Sequence, residues 1–154
     1  MGIKHGNGSG TTEYTVEGEF KANGYKENTL SFERGTIGLA RLDYTMLYYY
    51  TGDAQYLVQG YNSGCAQFFI TAEDCTEYFD GNYCAFGKVI EGMEIIDTIK
   101  EVETTTEADE ETGIIENTTT PVNPPVITKM TVDTFGIKYN EPRRIKINYI
   151  GKDE

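Results

Sequence analysis

The chain has 154 residues, 38% of them hydrophobic and 12% aromatic, which excludes a disordered composition and allows one domain with a sizeable core. Its 25 acidic and 13 basic residues give a formal net charge of -12, which argues against generic binding to nucleic acid or to an anionic membrane. His5 is the single histidine, so no histidine-based metal site or catalytic triad is expected.

The first two-thirds of the chain predict strands and turns, because glycine, tyrosine and threonine are abundant there. The glycine content of residues 1–12 predicts a turn region. The predicted strands are 14–20, 35–41, 67–71 and 84–89. The tyrosine-rich stretch 42–60 fits neither strand nor helix periodicity over its length, so we expect a long surface loop there with at most one helical turn.

The last third predicts one helix, an acidic loop and further strands. Met93, Ile96 and Ile99 form an apolar stripe that indicates a helix over 91–100. A solvated loop is expected over 101–120, since 101–116 carries seven carboxylates and no base. Alternating residues predict a strand over 126–135 and an edge strand over 144–150.

Three cysteines bear on the compartment. Cys65, Cys75 and Cys84 are odd in number and lack the spacing of a zinc site or a disulfide framework. We therefore expect buried or half-buried free thiols in a reducing compartment. Since no apolar run reaches the length of a membrane span and the first six residues carry no hydrophobic signal core, we expect a cytoplasmic protein.

Three segments, in this order, resemble the cyclophilin family of peptidyl-prolyl isomerases. They are residues 35–41 (GTIGLAR), 62–70 (NSGCAQFFI) and 79–93 (FDGNYCAFGKVIEGM). Ahead of them, 6–10 and 18–20 look like the family's glycine-rich turn and its next strand, and 126–135 looks like its closing strand. The resemblance runs from about residue 6 to residue 137, so we expect a cyclophilin-like domain over 1–140 and a C-terminal tail over 141–154.

The resemblance implies a mainly β fold, an antiparallel β-barrel that would here be incomplete, with one clear helix. It also implies a site for X-Pro peptides on the outer face of the barrel, acting on proline-containing peptides and unfolded chains without a cofactor. The substrate-binding residues implied by the matching motifs are Leu39, Ala40, Arg41, Gln67, Phe69, Tyr78, Phe79 and Tyr83.

Each of these residues has an implied role. Phe69 and Phe79 would line the proline pocket with Leu39 nearby, and the backbone of Ala40 and Arg41 would pair with the substrate chain. Gln67 would hydrogen-bond a substrate carbonyl. Tyr83 stands where many relatives have a histidine, and Tyr78 stands where many have the tryptophan that reaches cyclosporin.

The family's catalytic arginine lies in a Phe-His-Arg-Val-like segment, followed by Gln-Gly-Gly-Asp, just ahead of the glycine-rich turn. No such segment precedes Gly6, and Arg34 and Arg41 do not match its position. We therefore expect the C-terminal two-thirds of a domain whose first strands and first helix are missing. A truncated gene model, strands supplied by a partner, or a patch formed by 144–150 would each explain this, and open barrel edges would favour self-association.

Three hypotheses stay open. The chain is a prolyl isomerase acting on unfolded or nascent chains, a non-catalytic module that binds proline peptides, or a non-functional fragment. An upstream coding segment with the arginine motif would favour the first and contradict the other two.

Overall fold

The computed structural model describes residues 12–108 and 115–146 of the chain. These residues form two compact units, one within 1–91 and 141–154 and the other within 92–140. The turn region predicted over 1–12 lies almost entirely outside the described residues.

A three-stranded antiparallel sheet is the centre of the first unit. Strand β2 (Thr36–Leu39) lies between β3 (Phe68–Ile70) and β4 (Cys84–Lys88). The three predicted strands in these regions are confirmed, because their aromatic and β-branched residues favour extended backbone. The register places Gly38 opposite Phe69.

A second, two-stranded sheet joins the start of the described chain to its end. Strand β1 (Tyr14–Val16) pairs antiparallel with β7 (Arg144–Lys146), which lies within the predicted edge strand 144–150. Residues 147–150 lie outside the described residues. The proposed division of the chain at 140/141 stays a prediction.

The prediction of a long loop over 42–60 is wrong. Helix α1 (Thr45–Thr51) and helix α2 (Gln55–Tyr61) occupy most of it, and helix α3 (Thr76–Phe79) lies between β3 and β4. Helices of seven residues have only about two turns, which is too few for a clear periodicity of apolar residues. The residues at their ends mark them instead. Gly52 ends α1 in the left-handed conformation, at φ 70°, which glycine adopts without a steric penalty.

Asp43 anchors the start of α1. One of its carboxylate oxygens accepts hydrogen bonds from the Thr45 backbone N–H at 3.0 Å and from the Thr45 hydroxyl at 2.6 Å. These bonds, with the nearby charge of Arg41, hold the pKa of the Asp43 carboxyl below its usual value, although partial burial opposes them. A charged carboxylate at this position favours the helix start.

We expect Asp43→Ala to lower the free energy of unfolding by about 0.5 kcal/mol at pH 7. This is the low end of the range for side chains that accept hydrogen bonds at a helix start, because Asp43 is exposed and precedes the N-cap residue Tyr44. Because the folded-state pKa lies below the unfolded one, this contribution is full above the unfolded pKa and is lost as pH falls through the folded one. Urea unfolding at pH 7 and near pH 3 measures it. An equal difference between wild type and variant at both pH values would contradict the assignment.

The core of the first unit is small. Among the described residues the buried apolar side chains are Phe20, Phe32, Cys84 and Ala85. All three cysteines are free thiols, buried or half-buried, as predicted. Burial raises the pKa of the Cys84 thiol, which therefore stays protonated at neutral pH.

The second unit contains helix α4 (Met93–Lys100) and a β-hairpin. Helix α4 confirms the helix predicted over 91–100 and begins after Gly92. The loop predicted over 101–120 is wrong, because β5 (Thr104–Ala108) pairs antiparallel with β6 (Ile115–Pro121). This segment contains many threonines, which are β-branched and favour strands. The prediction of a loop had relied on the high charge and had not weighed that preference.

The strand predicted over 126–135 is also wrong. No described residue pairs with this segment, and its apolar side chains, Val132 and Phe135 among them, are exposed. Alternation gives a segment two distinct faces, but only a neighbouring strand makes it part of a sheet.

The fold is mostly β with few helices, as expected, but residues 12–108 and 115–146 contain no closed barrel. Their strands form three separate sheets, and their four α-helices exceed the one that was predicted. No helix in these ranges is long and apolar enough to cross a lipid bilayer.

Candidate functional site

Four aromatic rings pack together beside β2 and form what we call the aromatic cluster: Phe32, Phe69, Phe79 and Tyr83. Phe69 stacks on Phe32 with 5.6 Å between ring centroids, and its centroid lies 5.3 Å from Phe79 and 5.7 Å from Tyr83. Phe79 and Tyr83 are 5.0 Å apart. Phe32 is fully buried, whereas the other three rings are half-buried. Phe69, Phe79 and Tyr83 therefore expose apolar ring surface to solvent, and the Phe32 ring packs beneath them.

The cluster depends on a missing side chain in β2. A Cβ atom at Gly38 would lie 2.5 Å from Cζ of Phe69 and 2.6 Å from Cε1 of Phe32, well inside van der Waals contact. Glycine at this position lets both rings rest directly on the backbone of the central strand.

Asp80 fixes the segment that carries Phe32. Its carboxylate accepts a hydrogen bond from the Phe32 backbone N–H at 2.7 Å and another from the Ser31 hydroxyl. The Phe32 carbonyl accepts from the Cys75 N–H at 2.9 Å, just before α3. Both backbone groups of Phe32 are therefore satisfied, and α3 brings Phe79 against its ring at 5.6 Å.

The Arg41 side chain lies beside the cluster and points inward. Only 7% of it is exposed. Its guanidinium carbon is 4.5 Å from the ring centroid of Tyr83, 5.3 Å from that of Tyr61 and 5.6 Å from that of Phe20. Cation–π contacts reach about 2 kcal/mol when the cation is desolvated, so these rings contribute to holding a buried charge.

Polar groups complete the surroundings of Arg41. Its Nε donates to the Asn82 carbonyl at 2.9 Å, and its Nη1 donates to the Leu42 carbonyl at 3.0 Å. The Asp43 carboxylate lies 3.9 Å from Nη1. The sequence implied only a role for the Arg41 backbone, and the position of this side chain was not predicted.

The structure brings Phe69, Phe79 and Tyr83 together, but it does not bring every predicted site residue to the cluster. Leu39 pairs with Phe68, so it lies on the sheet face opposite Phe69. Its side chain packs against Gly64, where an added Cβ would lie 2.5 Å from Leu39 Cδ2.

The remaining predicted residues lie at the edges of the site. The Ala40 N–H donates to the Gln67 carbonyl at 3.0 Å and is therefore used within the protein. Gln67 is half-buried, and Tyr78 is 70% exposed on α3.

Sequence reasoning missed Phe32 and Asp80 as parts of the site. Phe32 lies in an irregular segment between Ser31 and Glu33, where no periodic pattern marks an apolar residue as buried. Asp80 lies within the matching segment 79–93, but a local motif does not reveal a hydrogen-bond partner 48 residues away in sequence.

The chemistry of the site is that of an apolar binding surface. Among the described residues, no group of three or more His, Cys, Asp or Glu side chains could hold a metal ion. No buried polar side-chain atom in the same ranges lacks a hydrogen-bond partner. Half-buried rings in this arrangement can hold a compact apolar group such as a proline ring.

Comparison with known proteins identifies the family. The model of the cyclophilin type peptidyl-prolyl cis-trans isomerase/CLD family matches residues 2–132. Neither curated proteins nor solved structures gave a match. The matched range contains all four rings of the aromatic cluster and most of the chain. This chain belongs to the cyclophilin-type peptidyl-prolyl cis-trans isomerase family.

Proposed function

We propose that this chain is a peptidyl-prolyl cis-trans isomerase that binds X-Pro peptides on the aromatic cluster. The observation that carries the proposal is the packing of Phe69, Phe79 and Tyr83 into one half-buried apolar surface. Burying a proline ring against such a surface is worth about 1.5–3 kcal/mol, which suits transient binding of many substrates.

The reaction needs a site that favours the twisted amide over the planar one. The barrier to rotation about the C–N bond is about 18–20 kcal/mol, because rotation removes the conjugation of the amide. A twisted amide is less dipolar than a planar one, so an apolar environment lowers the cost of twisting. The rings of the aromatic cluster hold the proline ring in place while the carbonyl group of the preceding residue rotates.

The proposed substrates are proline-containing segments of unfolded or nascent chains in the cytoplasm. X-Pro bonds isomerise in tens to hundreds of seconds without a catalyst, which is slow enough to limit folding. Three free thiols are consistent with a reducing compartment. A net charge of -12 favours substrates that are not themselves strongly acidic.

A non-catalytic proline-binding module is the second candidate. It is favoured by Arg41, whose cation lies next to Tyr83 but donates to the Asn82 and Leu42 carbonyls inside the protein. With 7% of its side chain exposed, Arg41 is poorly placed to donate to a proline nitrogen. The aromatic surface would then bind without accelerating rotation.

NMR exchange spectroscopy on an Ala-Pro model peptide separates the two candidates. We expect the chain to accelerate cis–trans exchange of the peptide, because the apolar surface favours the twisted amide. Broadened peptide lines without faster exchange would support the binding module, and an unchanged spectrum would contradict both. Phe69→Ala serves as the binding-deficient comparison.

A further inference from the structure

Tyr83 is held by one side chain at two points. The Arg41 guanidinium lies against the Tyr83 ring, with 4.5 Å from its carbon to the ring centroid. The Nε of the same guanidinium binds the carbonyl of Asn82, the residue directly before Tyr83. Arg41 therefore constrains both the ring and the backbone that leads into it.

Tyr83 is also restricted by the other rings of the aromatic cluster. Its ring packs against Phe69 at 5.7 Å and against Phe79 at 5.0 Å, and it is half-buried. A tyrosine at the rim of a surface would otherwise exchange between rotamers, since one side of its ring faces solvent. Contacts from Arg41 and from the two phenylalanines together favour one orientation.

Arginine is suited to this task in a way that lysine is not. The guanidinium is planar and permanently charged, and its donors are arranged in a rigid fork. Here the fork reaches two backbone carbonyls, of Asn82 and Leu42, while the same group contacts the aromatic ring. A lysine ammonium could keep the charge near the ring but could not satisfy both carbonyls in the same geometry.

We propose that Arg41 is a positioning residue that fixes Tyr83 as one wall of the X-Pro site. The identity of the ligand rests on the proposed function, whereas the contacts of Arg41 with Tyr83 and Asn82 do not depend on it. Through its contact with Tyr61 at the end of α2, Arg41 also connects this wall to the α1–α2 helices. Because Arg41 is nearly buried, it acts on substrate through Tyr83 and not by contact.

The first variant is Arg41→Met, which keeps a long apolar side chain and removes the cation and the donors. We expect the dissociation constant for an Ala-Pro peptide to rise about three- to tenfold, because binding must then order a Tyr83 side chain that Arg41 no longer holds. The exchange rate at saturating peptide should change little, because Arg41 does not touch the rotating bond. Ring-labelled tyrosine should show the Tyr83 resonances shifted, with assignment from Tyr83→Phe.

A matched control exists in the β1–β7 sheet. The Arg144 guanidinium carbon lies 4.7 Å from the ring centroid of Tyr14, a contact of the same type away from the cluster. Arg144→Met should leave peptide affinity and the Tyr83 resonances unchanged. Equal effects of the two methionine variants would overturn the proposal.

Further variants keep the test decisive if Arg41→Met does not fold. Arg41→Lys should give an intermediate affinity, and Arg41→Lys combined with Tyr83→Leu should bind no more weakly than Tyr83→Leu alone. The positioning role would be overturned if the affinity losses of Arg41→Lys and Tyr83→Leu added up in the double variant. It would also be overturned if both Arg41→Lys and Arg41→Met bound the peptide with wild-type affinity. If the wild-type chain binds no peptide, the proposed function fails, while the Tyr83 resonances still decide whether Arg41 orients the ring.

Discussion

Phe69→Ala should weaken binding of an X-Pro peptide by at least about tenfold, because the lost ring surface is worth about 1.5–3 kcal/mol. Phe69 contacts each of the other three rings of the aromatic cluster. Removing it also leaves a cavity above Phe32, so the free energy of unfolding should fall by about 2–3 kcal/mol, somewhat less than for a fully buried phenylalanine. Peptide titration by NMR and urea unfolding measure the two effects separately.

The neighbouring Phe68 provides the matched control. It lies in the same strand, is 40% exposed, and pairs with Leu39 on the opposite face of the sheet. Phe68→Ala removes the same number of atoms but should leave peptide affinity unchanged and cost about 1 kcal/mol or less of stability. If both alanine variants weakened binding equally, the cluster would not be the site.

Gly38→Ala should disrupt the aromatic cluster from beneath. The added methyl group would lie 2.5 Å from Phe69 Cζ and 2.6 Å from Phe32 Cε1, so the two stacked rings would have to shift. Overpacking of this type costs about 1–3 kcal/mol of stability. Because Phe69 must shift, we also expect weaker peptide binding, measured by the same titration.

Gly87→Ala is the comparison for that change. Gly87 lies in β4 opposite Ile37, in the same sheet, where an added Cβ would be 3.5–3.8 Å from Ile37 side-chain atoms. That is ordinary van der Waals contact, so stability should change by at most about 0.5 kcal/mol. A Gly38→Ala protein as stable as Gly87→Ala would show that the rings do not rest on the β2 backbone.

Short-range patterns were sufficient for several elements. The strands around Gly38, Phe69 and Ala85, and the helix that contains Ile96, follow from residue preferences and spacing within a few positions. The motifs that contain Phe69, Phe79 and Tyr83 also indicated the family and three of the four rings of the cluster. Each of these predictions depends on residues that are close together in the chain.

The errors share a physical cause. The segment 126–135 alternates as a strand should, but whether it joins a sheet depends on a partner strand. The short helices α1 and α2 show too little periodicity to be predicted from it. The hydrogen bond from Thr45 to Asp43 at the start of α1 and Gly52 at its end define that helix instead. In the hairpin of β5 and β6, strand preference and cross-strand pairing outweighed the charge that had indicated a loop.

The chain's own sequence was enough to indicate a mainly β protein of the cyclophilin family, with Phe69, Phe79 and Tyr83 in its candidate site. Tertiary structure alone decided that Phe32 lies beneath these rings, that Asp80 holds it there, and that the Arg41 side chain turns inward against Tyr83. The reason is the distance along the chain: Arg41 and Tyr83 are neighbours only because β2 pairs with β4. Local preferences select strands and helices, whereas the packing of side chains from separate strands selects which residues form the site.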